Sequence, residues 1–215
     1  MMNLSNIQVA IIDYGMGNLR SVANALDVLK CPVIITNNPQ DLKQASHIIL
    51  PGVGAFADGI KNLQIGGWIE VLEEEVREKR KPFLGICLGM QLLATIGTEH
   101  GTHKGLNWIS GTVERLQIPD TSIRVPHVGW NDANFVKKDN LFVGLGNAQA
   151  FYFVHSYVLL PEDISIVSST ADHGVNFVSS IEVKNIYATQ FHPEKSQKAG
   201  LAVLTNFIKA GVSHA

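Results

Sequence analysis

The chain has 215 residues, 17 Lys and Arg against 19 Asp and Glu for a net charge of −2, and 46% hydrophobic residues. That balance leaves no basic footprint for nucleic acid or an anionic membrane, and two cysteines, Cys31 and Cys87, without metal-ligand spacing argue against a disulfide scaffold. The length suits one domain over residues 1–215, no apolar run approaches a bilayer span and no leader pattern is present, so a reducing cytoplasm is the expected compartment.

Ile7 to Ile12 is an apolar run ending in Asp13, followed by glycines and the amphipathic stretch Leu19 to Leu29: strand, loop and helix. In that loop Arg20 stands where the third glycine of a dinucleotide fingerprint belongs, which argues against a nucleotide site. Short strands at Val33 to Ile35 and His47 to Leu50 continue an alternation that implies an α/β fold with a mostly parallel sheet. The second of these runs into Pro51-Gly52-Val53-Gly54, where the glycines free backbone N–H groups near Val53 to meet an oxyanion. An ordinary glycine turn is the other reading. Trp68 to Lys81 reads as a helix with Trp68, Ile69, Leu72 and Val76 inward and its acidic residues, Glu70, Glu73, Glu74 and Glu75, on a solvated face. Pro82 then ends that helix.

In Gly85-Ile86-Cys87-Leu88-Gly89-Met90-Gln91 the apolar run after Pro82 predicts a buried strand and the segment from Met90 a helix. Cys87 falls on the turn between them, flanked by glycines, as in a nucleophile elbow with sulfur in place of hydroxyl. A helix N-terminus at that point favours thiolate. The histidines of Thr98 to Gly105 lack a third ligand nearby, so this stretch reads as a mobile surface loop without metal. From Gly111 the chain turns β-rich (Thr112 to Gln117, Ile123 to Val125, Ala150 to Val154, Ile164 to Thr170, Val175 to Val183), as an extension of the sheet, with Pro126 to Asn131 as a loop. After Ile186 to Ala188, His192 and Glu194 stand two apart, on one side if strand geometry persists. They suit a triad in which a carboxylate orients an imidazole that exchanges protons with Cys87. The last helix, Lys198 to Lys209, places Leu201, Leu204 and Ile208 on one stripe.

The elbow Gly85 to Gln91 and the segment Gln190-Phe191-His192-Pro193-Glu194 resemble the motifs of the class I, triad-type glutamine amidotransferases. Four further stretches (Asp13 to Asn18, Leu50 to Phe56, Pro126 to Asn131 and Tyr152 to Tyr157) narrow the likeness to the glutaminase subunits of imidazole glycerol phosphate synthase, and it spans nearly the whole chain. The resemblance implies that Cys87 attacks glutamine, that N–H groups of Val53 and Leu88 hold the oxyanion, and that His192 with Glu194 moves the protons. It assigns Gly52, Gln91, Ser156 and Tyr157 to glutamine binding. Asn18, Trp130 and Tyr152 are assigned to a face that meets a (β/α)8-barrel cyclase in a heterodimer, with ammonia passing between subunits. No cofactor and no metal are implied. The same glutaminase chemistry would serve a paralogue feeding a surface-sugar amidation enzyme, and a catalytically silent interaction module or a stand-alone γ-glutamyl hydrolase would be the readings of other kinds.

Overall fold

The structure is a computed structural model that describes residues 7–211, so the ends of the expected 1–215 domain lie outside the described residues. The elements in chain order are β1 (Val9–Ile12), α1 (Leu19–Val28), β2 (Val33–Thr36), β3 (His47–Gly52), α2 (Phe56–Ile65), α3 (Trp68–Leu72), β4 (Phe83–Cys87), α4 (Leu88–Gln91) and β5 (Ala94–Gly97). Then follow β6 (His103–Lys104), β7 (Ile109–Arg115), β8 (His127–Phe135), β9 (Ala148–His155), β10 (Tyr157–Pro161), β11 (Val167–Asp172), β12 (Asn176–Val183), β13 (Ile186–Thr189) and α5 (Gln197–Lys209).

Nine strands form one sheet in the order β2-β1-β3-β4-β13-β12-β11-β8-β9. The half from β2 to β13 is parallel and the half from β13 to β9 antiparallel. Every residue of β3 and β4 is buried, as expected of parallel strands covered on both faces. Alternate residues of these strands serve two cores. Val9, Ile11, Ile49, Leu84 and Ile86 pack beneath α1 and α5, while Ala10, Ile12, Ile48, Leu50 and Phe83 pack against α2, α3 and Trp68. The β-rich half does not simply extend this sheet, as the sequence had suggested: β10, β7, β5 and β6 form a second, four-stranded sheet against the second core.

Several local expectations change in three dimensions. The segment read as a loop at Pro126 to Asn131 runs into strand β8, because the residues from His127 onward pair with β9 in register, Trp130 opposite Tyr152 and His127 opposite His155. Ile123 to Val125 forms no strand, and Ile164–Ile166 is a 3-10 turn before β11. The helix after the elbow is a single turn, because Ala94-Thr95-Ile96-Gly97 leaves it to pair with β7 and β6. The buried stripe of α5 runs through Val203, Leu204, Phe207 and Ile208, with Leu201 only at its margin.

The helix read over Trp68 to Lys81 is α-helical to Leu72 and then widens to a π-helical turn over Glu73–Glu78. Its acidic face is not wholly solvated. The Glu75 side chain is 0% exposed, with Lys79 Nζ and Lys81 Nζ each 2.7 Å from its carboxylate. Burial pushes the Glu75 pKa up, but the two ammonium groups overcome it and hold it below the ordinary range. Lys81 also donates to Leu42 O and Lys43 O, so this ion cluster ties the helix to the segment before β3.

Candidate active site

The site lies where β3 and β4 end, at the carboxyl edge of the parallel strands. This is where open α/β sheets leave a crevice. Gly52 pairs with Cys87 in register, so the end of β3 stands beside the end of β4. Cys87 has φ 56° and ψ −108°, the conformation of the first central residue of a type II′ turn, where glycine is usual. A cysteine held there stores strain of about 1–3 kcal/mol, which the surrounding packing must sustain.

The flanking glycines answer to crowding. A Cβ on Gly89 would run into the carbonyl oxygen of Leu50, and one on Gly85 would lie 2.6 Å from Gly89 O. The single turn α4 is thereby pressed against β3. One turn also carries a weaker dipole than the longer helix expected from the sequence, so the macrodipole contributes less to the sulfur than that reading implied.

His192 does not continue a strand. β13 ends at Thr189, and Pro193–Lys195 forms a 3-10 turn with His192 at its N-cap and Pro193 at its first position. Proline suits that place because its φ is preset and no N–H is needed. Across the turn His192 Nδ1 donates to Glu194 Oε1 at 2.8 Å, both side chains being 2% exposed. His192 is clamped further by its N–H to Tyr152 O at 2.9 Å and by Ser196 Oγ, which donates to His192 O at 2.6 Å.

Nε2 of His192 is buried with no hydrogen-bond partner, and it is the nitrogen left to serve the sulfur. Burial alone would lower the His192 pKa. The Cys87 sulfur and the Glu194 carboxylate more than reverse this, and the net shift is well upward. An upward shift is what the acid of an acyl-transfer site requires.

A cavity of about 410 Å³ opens over Cys87, lined among others by Val53, Leu88, Gln91, Ser156 and Tyr157, all of them predicted site residues. Val53 is exposed beyond the end of β3, and the N–H of Leu88, first residue of α4, has no partner within its helix. Gly52 stands outside the cavity wall, where a Cβ would strike Tyr14 and Leu88. Of the predicted interface residues, Trp130 is half exposed with its ring edge-on to Tyr152, and the Tyr152 centroid is 6.5 Å from that of His192. Asn18 caps α1, its Oδ1 accepting from Ser21 N–H at 3.3 Å.

Two residues that sequence reasoning passed over enter the site. Among the described residues Glu99 is the one acid in the cavity wall, in a stretch read as a mobile surface loop. Its Oε2 accepts the N–H of Phe56 at 2.9 Å and so anchors that loop to the start of α2. Gln190 is buried beside Cys87, its Nε2 3.5 Å from Sγ. Gln91, which reads from the sequence as a ligand group, spends both hydrogens of Nε2 inside the protein, on Tyr157 O and Gln190 Oε1, each at 3.0 Å. What it can offer the cavity is its Oε1, an acceptor.

Behind Tyr157 lies a histidine pair whose tautomers the bonding determines. His155 Nδ1 must donate to Tyr157 O at 3.1 Å, so its Nε2 accepts from His127 Nδ1 at 3.0 Å, and His127 Nε2 accepts from Asn131 Nδ2 at 3.2 Å. Both rings are neutral. Burial, and then the neighbouring histidines, push His155 down to about 3, and burial with His173 pushes His127 down to about 4. Below the unfolded value near 6.5 the unfolded chain takes up protons that these rings refuse, so their contribution is complete above that pH and is lost as pH falls. His155→Gln should remove about one proton from the uptake on unfolding between pH 5 and 6, some 1.4 kcal/mol per pH unit of slope. Urea melts of both proteins across that range check this, and parallel slopes would refute it.

Among the described residues no group of three or more His, Cys, Asp or Glu is placed to hold a metal ion, and no helix is long and apolar enough to cross a membrane. The family model for class-I glutamine amidotransferases matches residues 10–210. The chain is 48% identical over 202 residues to the imidazole glycerol phosphate synthase subunit HisH of Aquifex aeolicus, covering 94% of this chain and 96% of that one. It is also 48% identical over 199 residues to the protein of the same description from Moorella thermoacetica, covering 93% of each. Among solved structures, a glutamine amidotransferase superimposes with a TM-score of 0.74 at 17% identity, covering 94% and 97% of the two chains. PurLQS from Thermotoga maritima does so at 0.72 and 17%, covering 95% and 98%. At that identity the two structures speak for the fold alone.

Proposed function

The chain belongs to the class-I glutamine amidotransferases, and from that premise we propose that it is the glutaminase subunit of an imidazole glycerol phosphate synthase, a single amidotransferase domain over residues 1–215 working in the cytoplasm. The observation that carries the chemistry is the buried Glu194–His192 pair, its free Nε2 left to serve a cysteine on a strained elbow.

Glutamine enters the cavity with its amide carbon over Sγ. Its ammonium group finds Glu99, and Ser156, Tyr157 and Gln91 Oε1 supply the remaining polar contacts. The Cys87 thiolate forms the C–S bond, and the carbonyl oxygen becomes an oxyanion met by the N–H groups of Val53 and Leu88. Collapse breaks the C–N bond as His192 Nε2–H protonates the leaving nitrogen, giving ammonia and a thioester. The neutral imidazole then takes a proton from water, hydroxide adds to the thioester, and the sulfur leaves as thiolate with glutamate as product. Glu194 stabilises the imidazolium in both halves of the cycle.

Ammonia freed into water would be protonated and lose its nucleophilicity, which favours delivery to a docked partner. The partner proposed is a (β/α)8-barrel cyclase in a heterodimer, seated against Asn18, Trp130 and Tyr152, where the aromatic pair leads from the surface toward His192. Glutamate release by the purified chain, measured alone and with the host's barrel cyclase and its ribonucleotide substrate, tests this. Stimulation of about 10²-fold or more is expected if docking completes the oxyanion hole, since one donor is worth that much. Turnover indifferent to the cyclase would overturn the assignment of partner.

A further inference from the structure

The hydrogen bonds that end on the catalytic sulfur run in one direction, and the acceptor that sets it is a backbone carbonyl. Tyr157 O can only accept, and it takes N–H from His155 Nδ1 and from Gln91 Nε2. Gln91 cannot present Oε1 there, because oxygen would face oxygen. The same Nε2 donates its second hydrogen to Gln190 Oε1 at 3.0 Å. With its oxygen so engaged, Gln190 turns its NH2 toward Cys87 Sγ, 3.5 Å away.

A flip of Gln190 would set its NH2 against that of Gln91 and its oxygen against sulfur. Gln190 is fully buried and its backbone N–H is bonded to Ser179 O at 2.8 Å, so it is held in place between β13 and the triad turn. The sulfur has a second neighbour of opposite preference. Val154 O, 3.8 Å away, is an acceptor that suits S–H, whereas the Gln190 N–H suits S⁻.

We propose that Gln190 is a further catalytic residue: its Nε2–H stabilises the Cys87 thiolate before attack and again when the thioester expels the sulfur. Gln91, Tyr157 O and the His155–His127 pair act through it as positioning groups, which keep its donor and not its oxygen on the sulfur. No bond is made or broken in this role, so it leaves the proton account of the cycle unchanged. The proposal rests on Cys87 as nucleophile.

The test is the pH profile of Cys87 alkylation by iodoacetamide, with glutaminase kinetics alongside, for Gln190→Leu and its parent in the presence of whatever partner activity requires. Both carry Cys31→Ala so that one thiol is read. Hydrogen bonds to charged groups set the expected size. The alkylation profile should move by about one pH unit or more to the alkaline side, and kcat should fall about tenfold to a hundredfold with KM little changed. A merely structural role would leave the profile in place. Superimposable profiles, or a displaced profile with the parent's kcat, would overturn the catalytic role. Should Gln190→Leu fail to fold, Gln190→Met fills the same space without an N–H and is read in the same way. If the parent itself releases no glutamate while the profile still moves, the proposed function fails and the hold of Gln190 on the sulfur stands.

Discussion

Cys87→Ala is expected to lower the rate of glutamine hydrolysis by about 10⁴-fold or more, the scale on which loss of a nucleophile removes a covalent route and leaves only the oxyanion hole and substrate binding. Glutamine affinity should survive, because Glu99, Gln91, Ser156 and Tyr157 line the cavity independently of the sulfur. Stability separates the sulfur's chemistry from its geometry. Position 87 has φ 56° and ψ −108°, which penalises any residue with a Cβ, so alanine inherits the strain while glycine relieves it. Cys87→Gly should therefore be more stable than Cys87→Ala by about 1 kcal/mol or more, with both inactive. Glutamate release, glutamine binding by calorimetry and urea midpoints of the two variants decide the matter. Residual turnover near the parent's would remove Cys87 from the mechanism, and equal stabilities would remove the strain.

That strain is also why the elbow could be found in the sequence. Gly85 and Gly89 are readable because a Cβ at either position meets backbone atoms that cannot move, so composition near Cys87 reports geometry directly. The parallel half of the sheet was legible for a related reason, since strands covered on both faces, such as β3 and β4, read as uninterrupted apolar runs. What escaped depended on contacts that the local pattern does not report, whether the partner lies a turn away or far along the chain. Glu75 belongs to a charge pattern that suits a solvated face, and only the approach of Lys79 and Lys81 accounts for its burial. Strand β8 begins just after Pro126 and contains Gly129, local signals for a loop, and its pairing with β9 overrides them. Glu99 sits among glycines and histidines that suggest a surface turn, and its tether to Phe56 N–H is what brings it to the cavity. Gln190 lay inside a motif read for its histidine and carboxylate. Its role becomes visible only through the bond from Gln91, 99 residues earlier in the chain.

Glu194→Gln is expected to reduce kcat by about 10³–10⁴-fold with a much smaller effect on KM. The glutamine side chain fits the space but can turn its NH2 to His192 Nδ1, which would place the ring's one proton on Nε2 and leave no base facing the sulfur. The substitution also removes one of the two groups that hold the His192 pKa up against burial, so the ring loses its second proton at lower pH. A protonated acid is then scarce at neutral pH, and the kcat profile should shift toward acid. Stability carries the same sign. A histidine whose folded pKa is raised contributes fully below its unfolded value near 6.5 and loses that contribution as pH rises through the folded value. The stability gap between parent and Glu194→Gln should accordingly be widest near pH 6 and narrow toward pH 9. A gap constant across that range, measured by urea unfolding, would mean that Glu194 acts on His192 by orientation alone and not by charge. A kcat near the parent's would take the carboxylate out of the triad.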